Sequence, residues 1–306
     1  MKNKTISESS TLWLEEKRLQ IRESSYAAYL LTVRTHILPA FGKKRELTEQ
    51  DVQRFIQNRL DEGYRPKTVR DIILVLKMIY TFSCHQARHA PPQWNLRFPR
   101  ENTAGFRAVL IPDEFDRLLR FIRDRADARS LGLAIALFTG MRIGELCALQ
   151  WNDIDWDRRL LRVDKTLMRL YRCDSPSQRS RLVIGPPKSA SSCRDIPIHG
   201  ELYFLLSRCR PASQDGSLYL LTGLPQPTEP RCYRHWFASV LDRLGLPRLR
   251  FHTLRHSFAT RCIERDCDCK TVSALLGHAD VSTTIALYVH PGLEQKRRCI
   301  DRFFGD

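Results

Sequence analysis

The stretch FHTLRHSFATR, residues 251–261, sets two histidines and two arginines beside an apolar stripe. His252 and Arg255 are three apart and share a face if the segment is helical. At a helix N-terminus such a pair suits an anion. Leu254 and Phe258 lie on another face. Three readings compete: a solvated charged face, a metal site, and an anion-handling active site. His252 and His256 form H-x-x-x-H, but the zinc motif needs a glutamate directly after the first histidine, and Thr253 stands there. No third ligand has a diagnostic spacing. His256 therefore reads as a packing or supporting residue.

Three other stretches carry comparable chemistry. In TGMRIGELCAL a turn at Gly140 delivers Arg142 to the start of a helix whose Leu146 and Leu149 face inward. A planar guanidinium held in this way suits phosphate oxygens. Glu145, three residues on, can orient it by hydrogen bonding, or can form an ordinary surface ion pair with it. In PPKSASSCRDIPI, Lys188 falls at the tip of an expected hairpin. It is either a solvated turn lysine or an ammonium able to enter a cleft and protonate a leaving group. In LLGHADVSTTIALYVHPG, His278 follows Gly277 at the end of a short helix and Tyr288 comes ten residues later. Taken singly, Tyr288 reads as a half-buried core tyrosine and His290 as a surface residue.

The elements that must hold these residues can be read from periodicity. Residues 1–92 are expected to form a four-helix module. LTEQDVQRFIQNRLDEG has Thr48 as N-cap with Asp51 at the third position, and Val52, Phe55, Ile56 and Leu60 on one face. RPKTVRDIILVLKMIYTFSCHQA starts with Pro66 and lines up Val69, Ile72, Ile73, Leu76, Ile79 and Tyr80. Leu12, Trp13 and Leu19 fit an earlier helix, and the next is expected to stop at Pro39 and Gly42. The proline-rich stretch over 93–108 is expected to be a linker. From 109 to 306 the chain reads as mainly α, with a small antiparallel β-sheet from about 159 to 198, where residues alternate or are β-branched.

Composition limits the partner. The formal charge is +16. Residues 1–100 hold 18 Lys/Arg against 10 Asp/Glu, and the rest 32 against 24, so both halves are basic. A polyanion, usually nucleic acid, is the expected partner. The longest apolar run, LGLAIALF, is too short to span a membrane, and MKNKTISESS is followed by no signal-type apolar run. The ten cysteines are expected to be reduced thiols of a cytoplasmic protein. Cys262, Cys267 and Cys269 match no zinc spacing.

Taken in order, T-G-x-R-x-G-E-L, the hairpin lysine, H-x-L-R, L-G-H and a following tyrosine resemble the tyrosine recombinases: phage and conjugative-transposon integrases and Xer-type dimer-resolving recombinases. The motifs cover about 200 residues, and the helical N-terminal module agrees in type and position. The resemblance implies a helical core-binding domain followed by a tyrosine recombinase-type catalytic domain. It places the catalytic set on Arg142, Lys188, His252, Arg255, His278 and the nucleophile Tyr288, with Glu145 at the family's acidic position and His256 in support. It implies metal- and ATP-independent transesterification of double-stranded DNA through a 3′-phosphotyrosyl intermediate. Arg142 and Arg255 would clamp the phosphoryl oxygens, with His278 adding a hydrogen bond. His252 would act as base and Lys188 as acid.

The resemblance further implies a homo- or hetero-tetramer joined through the C-terminal helix, association with the nucleoid, and an accessory directionality protein as a further partner. No membrane and no cofactor are expected. The helical module begins within the first ten or so residues, so an extra N-terminal arm-binding domain is not expected. A type IB topoisomerase, a non-catalytic DNA binder and a metal-dependent nuclease are the competing readings.

Overall fold

The computed structural model describes residues 4–99, 109–125, 127–171, 180–187, 189–212 and 215–288, together with 297, 300 and 301. The chain divides into two compact units, residues 1–104 with 169–181, and residues 105–168 with 182–306.

The first unit contains helices α1 (Ile6–Gln20), α2 (Glu23–Thr32), α3 (Leu38–Phe41), α4 (Glu49–Asp61) and α5 (Pro66–Gln86). A π-turn over Val33–Ile37 joins α2 to α3, so the two run on as one rod. Of the two stops expected, Gly42 is the one observed, as the C-cap of α3, while Pro39 is carried inside the helix. Proline has no N–H to donate and its ring crowds the carbonyl four residues back. The turn ahead of it widens, and the Leu38 amide reaches back five residues to Val33. Thr48 caps α4 as expected: its Oγ1 accepts the Asp51 amide at 3.1 Å, and Asp51 Oδ2 accepts the Thr48 amide at 3.2 Å. The core is built from Ile6, Trp13, Val33, Ile37, Val52, Phe55, Ile56, Val69, Ile72, Ile73, Leu76 and Ile79. Leu19 lies in α1, as its spacing predicts, but is 90% exposed. It lies in the last turn, beyond the reach of the core.

The stretch expected as a linker opens with an ordered strap on this unit. Trp94 stacks on Tyr80 at 5.2 Å, and Leu96 and Phe98 pack on the core. The Gln53 side chain accepts the Arg97 amide at 2.9 Å and donates to the Arg97 carbonyl at 3.1 Å. Arg70 lies over the Phe98 ring and donates to the Pro99 carbonyl. Prolines forbid regular structure here, yet apolar side chains between them still find the core.

The second unit contains α6 (Pro112–Arg125), α7 (Ala128–Thr139), α8 (Ile143–Ala148), strands β1 (Ile154–Asp155), β2 (Leu160–Val163), β3 (Thr166–Tyr171), β4 (Ser180–Gly185) and β5 (Arg194–Pro197), then α9 (Gly200–Cys209), α10 (Pro230–Arg243), α11 (His252–Glu264), α12 (Cys269–Leu276) and α13 (Val281–Tyr288). Strands β3 and β4 run partly into the first unit's residues. The apolar α7 is buried almost throughout and packs against α6, α9 and α11. Thus the expectation of a mainly α fold with small antiparallel sheets holds.

One expectation about the strands does not. The sequence predicts Lys188 at the tip of a hairpin formed by RLVIGPP and RDIPI. Those segments are β4 and β5, and they do not pair: β4 joins β3, while β5 joins a three-stranded sheet in the order β1-β2-β5, with Leu161 opposite Ile196. Between them runs a connector that ends in a tight turn, Ala190–Ser192. Alternation shows that a segment is a strand but not which strand it pairs with. Lys188 itself lies outside the described residues.

Burial sets the expected energetics. Leu76 is fully enclosed, so Leu76→Ala should cost about 2–5 kcal/mol in urea unfolding. Leu19→Ala should change stability by less than about 0.5 kcal/mol.

Candidate active site

The site is built around the C-terminus of α12. Asp268 caps the start of this helix by accepting the Thr271 amide at 2.9 Å. Gly277 ends it at φ +67°, a left-handed conformation that costs glycine little. There the Gly277 amide donates to Ala274 and the His278 amide to Ser273. The carbonyls of Leu275, Leu276 and Gly277 still need donors, and they sit at the negative end of the helix dipole.

Three arginines from three other elements supply those donors. Arg194, the first residue of β5, gives its Nε–H to Leu275 at 2.6 Å. Arg255, on the first turn of α11, gives Nη2 to Leu276 at 2.8 Å and Nη1 to the Gly140 carbonyl at 2.9 Å. Arg142, the residue before α8, gives Nη2 to Gly277 at 3.1 Å and makes a longer contact with Leu276. Arg255 is 2% exposed. The Arg142 side chain is about a third exposed, so it is the more open of the pair.

Close approach requires the two glycines. Gly140 ends α7 at φ +63°, and a Cβ there would lie 2.6 Å from Phe258 and 2.8 Å from Leu276. A Cβ on Gly277 would meet Arg194 and the Ser191–Ser192 backbone at about 3.0 Å. The expected packing role of Leu254 and Phe258 is also seen. Leu254 is fully buried in the main core, and Phe258 packs beside Gly140 in a second cluster with Ala259 and Leu276.

Glu145 is the carboxylate in direct contact with these arginines. Its Oε1 accepts Arg142 Nη1 at 2.8 Å, and its Oε2 accepts both the Arg142 amide and Arg194 Nη2 at 3.0 Å. Burial alone would raise its pKa. The Arg194 charge, helped by the hydrogen bonds from Arg194 and Arg142, outweighs burial and holds the carboxyl below its usual range.

The imidazoles are held neutral. His252 opens α11 and is exposed overall, but its ring meets that of His256 edge to face at 4.5 Å. Partial loss of water, then the charges of His256, Arg255 and Arg142, lower its pKa to about 4. His256 is shifted down as well, first by burial and then by Arg255. His278 is half-buried. Burial, then Arg255, Arg142, Arg194 and His252, lower its pKa to about 4. Its Nδ1 is 2.8 Å from Oγ1 of Thr284, a fully buried residue of α13.

The structure thus brings together Arg142, Glu145, His252, Arg255, His256 and His278. The backbone of Tyr288 closes α13, the helix that Thr284 ties to His278. The side chain of Tyr288, like Lys188 and His290, lies outside the described residues. Two contributors were not singled out from the sequence. Arg194 follows a polar turn and opens a strand, a context that looks like surface. Thr284 stands in a Ser-Thr-Thr run that reads as a helix start. Among the described residues no group of three His, Cys, Asp or Glu side chains could hold a metal, and no helix is long and apolar enough to cross a membrane.

This chain is similar to known proteins. The model of the phage integrase family matches residues 108–294, and that of the phage integrase N-terminal SAM-like domain matches residues 5–60. A tyrosine recombinase XerC-like protein of Caldanaerobacter subterraneus subsp. tengcongensis is 26% identical, over 97% of this chain and 82% of its own. The ICEBs1 integrase of Bacillus subtilis is 24% identical, over 95% of this chain and 80% of its own. Among solved structures, the Tn1549 transposon integrase in complex with a circular intermediate DNA superposes with a TM-score of 0.77 at 20% identity, covering 98% of this chain and 99% of that one. At that identity the likeness speaks for the fold.

The imidazole shifts can be measured. NMR titration should show His252 and His278 losing their protons with midpoints of about 4. An unfolded chain takes up these protons near pH 6.5. The stability that the neutral rings contribute is therefore complete above pH 6.5 and is lost as pH falls toward 4. Chemical denaturation across that window should show stability declining with acid.

Proposed function

Because the chain belongs to the phage integrase family of tyrosine recombinases, and so is a site-specific DNA recombinase, we propose that this pocket holds one phosphate of a duplex strand while Tyr288 attacks it. The observation that carries the reading is the convergence of Arg142 and Arg255 on one helix end, with Glu145 as their contacting carboxylate and neutral imidazoles beside them. Negative charge gathers on the non-bridging oxygens as the phosphoryl group transfers. Guanidinium groups fixed beforehand stabilise that charge without having to reorganise.

Each group has a role in this reading. The Tyr288 hydroxyl attacks phosphorus, and the bond to the 5′-oxygen breaks. A phenol with a pKa near 10 needs a base, and His252 is unprotonated at neutral pH and able to accept the proton. Lys188 donates a proton to the leaving 5′-oxygen. The product is a 3′-phosphotyrosine, which a 5′-hydroxyl from a partner strand reverses to join new ends. Arg142 and Arg255 clamp the phosphoryl oxygens and His278 adds a hydrogen bond. Glu145 holds Arg142, and His256 packs on His252. The bond energy is kept in the covalent intermediate, so neither ATP nor a metal is required.

The wider assignments rest on the same family. Residues 1–92 form the core-type DNA-binding domain, 93–108 the linker and 109–306 the catalytic domain. The positive charge of both halves supports a duplex DNA partner. Four protomers, identical or paired with a second recombinase, assemble on recombining sites through the C-terminal helix in the cytoplasm, at the nucleoid. An accessory directionality protein completes the partners.

A nicked suicide substrate carrying the native junction tests the chemistry. The intact protein should form a covalent adduct in EDTA, and Tyr288→Phe should form none. An adduct that persists in Tyr288→Phe would overturn the assignment of the nucleophile. Lys188→Ala should cleave at least about 100-fold more slowly on ordinary DNA. A 5′-bridging phosphorothioate, which needs no leaving-group acid, should restore its rate. Failure of that rescue would remove the acid role from Lys188.

A further inference from the structure

Arg194 lies outside the catalytic set, yet each of its three side-chain nitrogens bonds to the protein. Its Nε–H binds the Leu275 carbonyl at 2.6 Å, Nη1 the Ser192 carbonyl at 2.9 Å and Nη2 Glu145 Oε2 at 3.0 Å. Its side chain is 6% exposed and that of Glu145 2%. Arg142, the other partner of Glu145, is far more open. Two cations therefore share one buried carboxylate, one enclosed and one facing outward.

That sharing has an electrostatic consequence. A buried carboxylate must be compensated by a nearby cation. If Arg142 were its sole partner, the positive charge of Arg142 would be spent on Glu145 and little of its field would be left for an anion. With Arg194 at Oε2, the carboxylate is balanced from the protein side. Oε1 can then orient the Arg142 guanidinium without cancelling it. We propose that Arg194 is a positioning residue for the recombination reaction, neutralising Glu145 so that Arg142 keeps its charge for the phosphate. The inference rests on the phosphate-clamp reading of Arg142 given above.

Arg194 also fixes the connector behind Lys188. Besides the Ser192 carbonyl bond, the Ser192 hydroxyl reaches the Gly277 carbonyl at 3.4 Å. A purely structural role for Arg194 would act through these contacts, and a test must separate the two. Arg194→Gln keeps some hydrogen bonding and removes the charge. Arg194→Lys keeps the charge and loses the planar fork. Glu145→Gln removes the charge that Arg194 is inferred to balance.

The experiment measures duplex affinity and the single-turnover rate of adduct formation on the nicked suicide substrate, with folding of each variant checked by its melting profile. Arg194→Gln should lower the adduct rate by about 100-fold, the scale of losing one preorganised electrostatic contact, while affinity changes by less than about threefold. Arg194→Lys should be at least about tenfold faster than Arg194→Gln. Adding Glu145→Gln to Arg194→Gln should recover about tenfold. The inference is overturned if the double variant is no faster than Arg194→Gln, if Arg194→Lys is as slow as Arg194→Gln, or if affinity alone falls. Should Arg194→Gln fail to fold, the double variant and Arg194→Lys carry the test: both should exceed 1% of the unaltered rate, and a rate below that in either sinks the idea. If the unaltered protein forms no adduct, or Tyr288→Phe still does, it is the phosphate-clamp reading that falls.

Discussion

The last carbonyls of α12 are the constraint from which the rest of the site follows. A helix end must find donors for its final C=O groups, and away from water those donors must come from the protein. Here they come from arginines on the segment before α8, on β5 and on α11. Each such bond to a charged donor contributes about 1.5–3 kcal/mol. Each also fixes a guanidinium at one end of its long side chain. The same bonds that satisfy the helix therefore hold several like charges close together. The site is an arrangement of cations assembled around a main-chain anchor.

Like charges held together need relief, and the structure gives only part of it. Glu145 offsets one charge, and the helix dipole contributes a fraction of another. His252 and His278 adjust by remaining unprotonated. The remaining positive potential is what the proposed phosphate clamp would use. Because the imidazoles are neutral, at least one can accept a proton, which it could not do as an imidazolium. Burial and arginine charge thus set both the fixed cations and the neutral imidazoles of the site.

Much of this was legible in the sequence, for identifiable reasons. Thr48 with Asp51, Pro66, and the Val69–Tyr80 stripe are local signals, and each was found where expected. Gly140 before Arg142 and Gly277 before His278 marked helix ends, and both take left-handed backbone conformations. Pairing between strands was not legible, because alternation carries no partner information; hence the misplaced hairpin around Lys188. Arg194 escaped notice because its partners lie far away in the chain: Glu145 is 49 residues before it and Leu275 is 81 after. Leu19 has the helical spacing without the burial, because one periodic position in a last turn says nothing about whether core lies opposite it. The strap at 94–99 escaped because packing between prolines leaves no period.

An anchor made of carbonyls has an unusual tolerance to sequence drift. Every amino acid carries the same C=O, so Leu275 and Leu276 could change to other residues that pack as well without removing an acceptor. Gly277 is restricted more tightly, by its backbone conformation and by the crowding of Arg194 and the Ser191–Ser192 backbone. The arginines have no such freedom, because their function resides in the side chain. The acceptors at the hub of the site are thus set by the backbone, and the donors around it by side-chain identity.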